Sequence, residues 1–377
     1  MMSAVEIRPL RNTKKDVTPF VKFAWTVYRG NPFWVPPIIN DQVSYLCDGP
    51  YLDSGIIQPF MAFRDGIPVG RIIAHFDKRH NEYNNEKRGC VGFFECIDDS
   101  EVAGCLFNAA ESWLADQGME EMYGPLNYLV YDSSGLLIDG FEETPVLECV
   151  YNPPYYERLF LDHGFNKKID WYSYRFLRDT EIPKTIYKIR DRVLNNKEGI
   201  TFRNVRMGKK EYVEDTVKLL SIFNKAWEKN WEHLPLSDRQ FAFFANELKM
   251  IVKPELVIMA EHKGKPVAYI LSVPDINPAL KKVNGKLFPF GIFHLIFGLK
   301  KIQRIKTFML GVLPEYRNKG LDVLLFAETV ERGKRMGYTE SDCSVIVENN
   351  DPMINALNRF GAIRDKTYRH FARPIKR

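Results

Sequence analysis

The chain has 377 residues, of which 45% are hydrophobic and 13% aromatic, and this suffices for about two packed domains of ~100–200 residues each. Its 53 basic and 48 acidic residues leave a net charge of +5 without long basic blocks, so the composition does not indicate a specific nucleic-acid partner. The six cysteines form no C-x-x-C pair and have no histidine at metal-ligand spacing, which predicts reduced thiols, a cytoplasmic location and no metal site. Residues 1–10 contain no apolar signal region, which favours the same location.

The first half of the chain is predicted to alternate helices and strands. Apolar periodicity and turn residues place these elements. They are, in chain order, a strand and a helix over residues 6–28, a hairpin over residues 58–76 about Asp65-Gly66, an amphipathic helix over Val102–Gln117, a strand over Pro145–Tyr151 and a helix over Tyr155–His163. Such alternation indicates an α/β (α+β) fold with mixed central sheets flanked by helices.

A polar stretch divides the chain near its middle. Residues 177–199 are charged and contain Pro183, so they are predicted to form a linker with one helix near Ile186–Leu194. The predicted domains are therefore residues 1–176 and residues 200–377.

A long apolar segment lies in the second half, between Pro274 and Ile305. Its central run, Leu287–Leu299, is too short and too interrupted for a transmembrane helix, which needs ~20 residues, and Lys300 and Lys301 follow it. Three interpretations stay open: a packed crossover helix between domains, the lining of an acyl or other apolar substrate pocket, and a helix that associates weakly with a membrane surface.

The most informative segment is Val312–Asp322, which separates an apolar, strand-like run from the apolar-periodic run of a helix. It is basic, through Arg317 and Lys319, and it contains Gly320. Free backbone N–H groups and the positive end of the helix dipole meet at a helix N-terminus, and a glycine lets an anion approach the backbone. The segment therefore predicts a phosphate-binding turn.

The spacing Arg317-x-x-Gly320-x-Asp322 resembles the pyrophosphate loop Arg/Gln-x-x-Gly-x-Gly/Ala of the GNAT acyltransferases. Asp322 departs from that pattern, because a small residue is usual there and a carboxylate would repel a diphosphate unless it points away. A second motif agrees with the resemblance: Asn350 ends a predicted strand, and Gly361 closes the following helix at the family's spacing, 361 − 350 = 11.

The resemblance implies acetyl-CoA or another acyl-CoA as co-substrate and a small-molecule amine as acceptor. Backbone N–H groups near Val312 would polarise the thioester carbonyl, the basic turn would hold the pyrophosphate, and Asn350 would touch the pantetheine arm, which lies between two splayed parallel strands in this family. The implied coenzyme-binding residues are Leu310, Val312, Arg317, Asn318, Lys319, Gly320, Leu321 and Asn350.

Transfer by direct attack needs a base for the amine and an acid for the departing thiolate. Glu348, at the end of the strand beside the expected thioester, is the first candidate base, and His294 would serve if the long insertion folds over the site. Many family members carry a tyrosine acid seven residues after the motif asparagine, where this chain has Leu357, and Tyr368 is the candidate substitute. Glu348 could equally cap the next helix, and Tyr368 could fill the core.

The two halves of the chain are predicted to be copies of one fold. Gly66-x-Pro68-Val69 aligns with Gly264-x-Pro266-Val267, and Asn152-x-Pro154 aligns with Asn350-x-Pro352, since 264 − 66 and 350 − 152 are both 198. Chance similarity of Gly-Pro turns would explain one match, but ordered matches at one offset indicate a tandem GNAT-like protein.

The first copy differs at the phosphate turn. Where the second copy has Arg317–Gly320, the first has the acidic segment Glu95–Glu101. Carboxylates at a helix N-terminus satisfy the dipole and repel an anion, so the first copy is predicted not to bind coenzyme A in the usual way.

Two other functions stay open. Asp322, the missing tyrosine and the acidic first turn would also fit a GNAT-fold protein that binds a ligand or a partner protein without catalysis. Alternatively, the donor would be an acyl-carrier protein or an aminoacyl-tRNA, for which the basic residues Lys281-Lys282, Lys300-Lys301 and Arg304 would suit an anionic partner.

Overall fold

The computed structural model describes residues 3–195, 199–228 and 230–376. The chain divides into two compact units. Unit 1 comprises Met1–Trp171, Asn277–Phe297 and Lys366–Arg377, and unit 2 comprises Tyr172–Ile276 and Gly298–Asp365. The units therefore do not follow the two halves of the sequence, because the second half contributes two segments to unit 1.

The first half of the chain forms seven strands and six α-helices over its described residues. They are β1 (Glu6–Pro9), α1 (Lys14–Lys22), α2 (Ala24–Val27), α3 (Ile39–Asp48), β2 (Gly55–Arg64), β3 (Ile67–Asp77), α4 (Lys78–Asn84), β4 (Arg88–Cys96), α5 (Ser100–Asp116), β5 (Glu121–Gly124), β6 (Leu136–Asp139), α6 (Tyr155–Asp162) and β7 (Asn166–Leu177).

The second half repeats this kind of alternation. Its elements are α7 (Lys184–Asn195), β8 (Ile200–Asn204), α8 (Lys209–Trp227), α9 (Asp238–Leu248), β9 (Val257–His262), β10 (Lys265–Pro274), α10 (Asn277–Val283), α11 (Gly291–Leu299), β11 (Arg304–Val312), α12 (Leu321–Arg335), β12 (Glu340–Val347), α13 (Asp351–Arg359) and β13 (Ile363–Pro374).

Unit 1 is built on a mixed sheet in the order β1-β2-β3-β4-β5-β13, with β6 also paired to β13. Neighbouring strands are antiparallel except β4 and β5, which are parallel. Helix α5 packs on this sheet through fully buried Leu106 and Leu114. Gly70 and Gly89 allow the close approach, because a Cβ at either position would lie 2.7 or 2.6 Å from those two leucines, respectively.

Unit 2 has a mixed sheet in the order β7-β12-β11-β10-β9-β8, in which β11 and β12 are parallel. Buried Ile270 of β10 packs in the core that includes α12, whereas the neighbouring Tyr269 and Gly311 approach Ile222 of α8. Because successive strand residues point to opposite faces, α12 and α8 cover opposite faces of this sheet.

Local turn chemistry confirms several predicted elements. The hairpin between β2 and β3 turns at Asp65 and Gly66, whose φ angles are 53° and 75°, and the hairpin between β9 and β10 turns in the same way at Lys263 and Gly264, with φ of 51° and 75°. A helix stands within the predicted linker, α7 at Lys184–Asn195, while residues 196–198 of that linker lie outside the described residues.

The predicted strand over Pro145–Tyr151 is wrong. This segment forms a turn, in which the Cys149 N–H donates to the Val146 carbonyl at 3.0 Å and Glu148 has a φ of 58°. Val146 and Leu147 are buried, which explains the apolar pattern without a ladder of strand hydrogen bonds.

Candidate functional site

A fork between two parallel strands marks the candidate site in unit 2. The ladder of β11 and β12 runs from Arg304↔Glu340 to Thr307↔Cys343. Within the described residues, no pairing between these strands continues over 308–312 and 344–347, although both strands extend that far. Beyond the ladder, the facing edges of the two strands therefore lack each other as a strand partner, and an extended ligand can supply the missing backbone partner.

A bulge shapes the strand on one side of this fork. The register of β10 and β11 passes from Leu271↔Met309 to Ser272↔Thr307, which leaves Phe308 as an extra residue in β11. Just beyond it, the Trp227 indole N–H donates to the Leu310 carbonyl at 3.1 Å, and Val312 ends the strand. The bulge and the indole hydrogen bond thus both lie where β11 separates from β12.

The predicted phosphate turn follows β11. A single 3-10 turn at Pro314–Tyr316 leads to Asn318 and Gly320, which have left-handed φ angles of 60° and 80°. Gly320 is the N-cap of α12, and no side chain among the described residues caps it. The first N–H groups of α12, beginning at Leu321, therefore have no side-chain acceptor, which is the arrangement that favours an anion at a helix N-terminus.

Two basic side chains of the turn have different roles. Arg317 stabilises the turn itself, because its guanidinium donates to the carbonyls of Ala226 and, at 3.4 Å, Val312. Lys319 is exposed, and its ammonium lies 4.9 Å from the centre of the Tyr316 ring. Its charge is therefore the more available of the two to an approaching anion.

Asp322, the residue that departs from the family pattern, lies in the first turn of α12 and is exposed. The N-cap of this helix is Gly320, and no side-chain hydrogen bond from the described residues caps it. An exposed side chain can turn into solvent, so the carboxylate need not face the helix end.

The predicted catalytic residues belong to different units. Glu348 is half-buried and directly follows β12 in unit 2, whereas exposed His294 of α11 and buried Tyr368 of β13 belong to unit 1. Asn350 caps α13, because its side-chain oxygen accepts the Met353 N–H at 3.3 Å. Glu348 is thus the one of the three that shares a unit with the fork.

A buried polar cluster that the sequence did not indicate lies at the last pairs of the β11–β12 ladder. Asp342 accepts hydrogen bonds from Ser173, at 2.6 Å, and from Ser344, and it stands opposite Lys306 in the register. Burial raises the pKa of the Asp342 carboxyl, and these partners oppose the rise. The charged residues Lys306 and Asp342 within apolar strands were the available signal.

Unit 1 has the same order of strands and helices, but the N-terminus of its helix α5 is capped by a side chain. Asp99 is the N-cap of α5, and its carboxylate accepts the N–H groups of Glu101 and Val102 at 2.9 and 3.2 Å. Arg64 donates to Asp99 at 2.7 Å and to Glu101 at 2.9 Å. The charges and N–H groups at this helix end are therefore already satisfied within the unit.

The corresponding fork in unit 1 is filled by the chain itself. The β4–β5 ladder covers Arg88–Cys90 opposite Glu121–Tyr123. Beyond it, the Leu126 N–H donates to the Val91 carbonyl at 2.8 Å, and the Phe93 N–H donates to the Asn127 side chain at 2.7 Å. A residue pair of the protein thus occupies the edge that remains open in unit 2.

Unit 1 also contains a pocket of about 190 Å³ whose lining residues all belong to that unit. Glu95, which the sequence assigned to the acidic turn, lies instead at the end of β4 in this pocket, with 12% of its side chain exposed. It accepts a hydrogen bond from the Tyr156 hydroxyl at 2.7 Å and lies 3.5 Å from the Arg71 guanidinium. Burial raises the pKa of the Glu95 carboxyl, and Arg71 opposes the rise.

The described residues show neither a metal centre nor a membrane span. No group of three or more His, Cys, Asp or Glu side chains among them is arranged to hold a metal ion. None of their helices is both long enough and apolar enough to cross a bilayer.

Comparison with known proteins gives a consistent picture. The sequence model of the acetyltransferase (GNAT) family matches residues 216–362. The chain is 31% identical over 370 residues to Protein YghO of Escherichia coli (strain K12), covering 96% of this chain and 94% of that protein. It is 26% identical over 372 residues to the bacterial ceramide synthase of Caulobacter vibrioides (strain NA1000 / CB15N), covering 96% of each.

Solved structures share the fold over almost the whole chain. A tandem GNAT protein from the clavulanic acid biosynthesis pathway, solved without AcCoA, has a TM-score of 0.60 at 11% identity and covers 99% of each chain. A GCN5-related N-acetyltransferase from Sphaerobacter thermophilus has a TM-score of 0.54 at 13% identity and covers 98% of this chain and 96% of that one. The resemblance to these structures extends over both halves of the sequence.

Proposed function

Because the chain belongs to the GNAT acetyltransferase family, as a member with a tandem fold, we propose that it is an N-acyltransferase which moves an acyl group from acyl-CoA to an amine. The observation that carries this proposal is the open fork of β11 and β12 beside the uncapped start of α12, both in unit 2. An extended, hydrogen-bonding arm that ends in a diphosphate has the chemistry to fill both features together.

In this proposal, the pantetheine arm lies between β11 and β12 and hydrogen-bonds to backbone groups from Leu310 to Val312 other than the two carbonyls that accept from Trp227 and Arg317. The diphosphate accepts hydrogen bonds from the backbone N–H groups of the turn from Asn318 to Leu321, and Lys319 neutralises part of its charge. A backbone N–H near Val312 stabilises the negative charge that develops on the thioester carbonyl oxygen. Acetyl-CoA and longer acyl-CoA molecules share all of these contacts.

The transfer itself needs a neutral amine. We propose Glu348 as the base that accepts the amine proton, because this carboxylate follows β12 at the open end of the fork. The amine nitrogen then bonds to the acyl carbon, the carbon–sulfur bond breaks, and the thiolate takes up a proton as it departs. Tyr368 and His294 stay predictions for that proton donor and for an alternative base.

The acceptor is proposed from the ceramide synthase relative. A ceramide carries a fatty acyl group on the amine of a long-chain amino alcohol, so we propose a fatty acyl-CoA donor and a long-chain amino alcohol acceptor. Met309 of β11 also lines an apolar cavity of about 40 Å³ in unit 2, between α8, α9 and the sheet, which is too small to hold a whole fatty acyl chain without rearrangement. Apart from Tyr212 and Thr216, every side chain that lines this cavity is fully hydrocarbon or a thioether.

Calorimetry with coenzyme A, acetyl-CoA and palmitoyl-CoA tests the donor. The Lys319→Glu variant should lose about tenfold or more in affinity, since one favourable contact with the diphosphate becomes a repulsive one. Lys265→Glu, an equal change of charge at an exposed position of the β9–β10 hairpin, is the matched control and should bind as the wild type does.

A turnover assay with palmitoyl-CoA, and sphinganine or spermidine as acceptor, tests the reaction. Amide formation with sphinganine supports the proposal. Tight coenzyme A binding without transfer to any amine would favour a non-catalytic binding module. Transfer from acyl-carrier protein but not from acyl-CoA would show that the donor is wrong.

A further inference from the structure

The segment that includes α11 exposes an unusual amount of apolar surface. Five large side chains within ten residues are between about half and three quarters exposed. They are Phe288 (74%), Phe290 (72%), Phe293 (54%), Ile296 (48%) and Phe297 (62%). Single exposed apolar residues are common on protein surfaces, but a contiguous cluster indicates an interaction site.

The helix at the centre of this segment is apolar on every side, yet it is hardly buried. Its sequence, Gly291–Leu299, contains one polar residue, His294, and of its nine positions only Gly291 is buried. A helix that is apolar all round belongs in a protein core or in lipid. Helix α11 is not in a protein core, so lipid is the environment that its composition fits.

The base of the segment is fixed to unit 1. The Ile39 N–H donates to the Gly285 carbonyl at 3.0 Å, and the Trp25 indole donates to the Asn284 side chain at 2.9 Å. At the start of α10, the Asn277 amide donates to the Pro145 carbonyl at 2.8 Å. The chain just before the exposed phenylalanines is therefore held to unit 1 by hydrogen bonds.

The charge of the segment has one sign. Residues 277–306 contain no aspartate or glutamate. The exposed lysines Lys282, Lys286, Lys300 and Lys301 flank the apolar cluster on both sides along the chain. The exposed apolar side chains are complementary to the acyl region of a bilayer, and the lysines on both sides of them are complementary to its anionic headgroups.

We propose that residues 286–301 are a membrane-contact surface, in which the exposed phenylalanines enter the boundary between the headgroups and the acyl chains of an anionic bilayer and the flanking lysines bind its phosphates. Helix α11 has nine residues and cannot span the bilayer, so it lies in the interface. A symmetric contact with a second copy of the chain fits less well, because it would bring the same lysines together without opposing carboxylates in the segment.

Co-sedimentation of the full-length protein with vesicles tests this proposal. The wild type should bind vesicles of phosphatidylethanolamine with phosphatidylglycerol and bind vesicles of phosphatidylcholine alone about tenfold less, because the proposed lysine contacts need anionic headgroups. The triple variant Phe290→Ser, Phe293→Ser, Phe297→Ser should lose binding to both. All three sites are exposed, so its circular dichroism and melting temperature should match those of the wild type.

Two further variants separate the contributions. The double variant Ile67→Ser, Met250→Ser is the control. It removes apolar side chains elsewhere that are at least as exposed as Phe297, at 65% and 84%, and it should leave vesicle binding unchanged. Lys286→Gln, Lys300→Gln, Lys301→Gln should weaken binding to anionic vesicles and remove most of its salt dependence. Failure of the wild type to sediment with anionic vesicles would overturn the proposal. So would a triple phenylalanine variant that still binds vesicles, or one that only converts a dimer to a monomer in analytical ultracentrifugation.

Discussion

The starts of helices α5 and α12 occupy the same place in the strand order of their units, but they differ in their capping and in what lies in the fork beside them. In unit 1, Asp99 caps α5, Arg64 binds the acidic turn, and Leu126 fills the fork edge beside it. In unit 2, Gly320 leaves α12 uncapped and the fork of β11 and β12 stays open. In one fold, a helix start can therefore be left without a side-chain acceptor or be capped, and the difference needs only one side chain and a short chain segment.

The comparison is sharpest for two carboxylates, Glu348 after β12 and Glu95 near the end of β4. The largest expected effect is on turnover. Glu348→Gln should lower kcat by about 10²–10⁴-fold with little change in acyl-CoA affinity, because loss of a general base acts on the transition state. Glu95→Gln in the unit 1 pocket should leave kcat per folded molecule nearly unchanged. The measurement is steady-state kinetics together with calorimetry. Equal losses of kcat in both variants would contradict the assignment of chemistry to unit 2.

The open helix start can be closed by one substitution. Gly320→Glu should reduce coenzyme A affinity by about 100-fold or more, since a carboxylate at the N-cap would repel the diphosphate and occupy its N–H groups. The substitution also forces a φ of 80° on a residue with a Cβ, which would lie 2.8 Å from Ile189 Cγ2. Gly264→Glu is the matched control, because that glycine has a φ of 75° and nothing within 4 Å of a Cβ. If both variants bind coenzyme A like the wild type, the diphosphate lies elsewhere.

Unit 1 contains a buried histidine that is expected to make folding sensitive to acid. His75 is fully buried between the Tyr51 hydroxyl, which donates to Nδ1, and the Leu126 carbonyl, which accepts from Nε2. Burial lowers the pKa of His75 to about 4 from the usual 6.5. Between these values the unfolded chain binds a proton that the folded chain does not, so the free energy of unfolding falls as the pH drops, by about 2 kcal/mol at pH 5.

Denaturant unfolding between pH 7 and pH 5 measures this dependence. His75→Gln should flatten the slope over that range, whatever its effect at neutral pH, and His294→Gln at an exposed position should keep the slope of the wild type. An unchanged slope in His75→Gln would show that other groups titrate.

The cap of α5 should be worth less than these effects. Asp99→Ala removes two hydrogen bonds to helix N–H groups and the Arg64 partner, and it should lower the free energy of unfolding by about 1–2 kcal/mol. The variant should still bind a single coenzyme A per chain, because Leu126 and Asn127 continue to occupy the fork of unit 1. Asp98→Ala, in the same acidic segment but outside the cap, is the control. A second coenzyme A bound by Asp99→Ala would mean that the cap alone closes the site.

The smallest expected effect is at Asp322. Its side chain is exposed, so Asp322→Ala should change coenzyme A affinity by less than about tenfold. Titration calorimetry measures the difference. A gain of tenfold or more would show that the carboxylate repels the diphosphate, and would favour a donor without a diphosphate at this position.

Local sequence predicted the elements whose conformation depends on near neighbours. The Asp65-Gly66 hairpin, the helix after Gly320 and the helix after Asn350 follow from turn residues and apolar periodicity, and the structure confirms them. The strand at Pro145–Tyr151 was wrong because burial of Val146 and Leu147 comes from packing of a turn, which periodicity does not distinguish from a strand.

The sequence by itself determined the family, the repeated order of elements and the basic turn, since each rests on residue types at short spacing. The tertiary structure alone decided which side chains meet across long stretches of chain. It placed Glu95 against Arg71 and Tyr156 in a pocket, filled the fork of unit 1 with Leu126 and left the α11 face exposed. These outcomes depend on contacts between distant segments and on burial, and neither follows from local propensity.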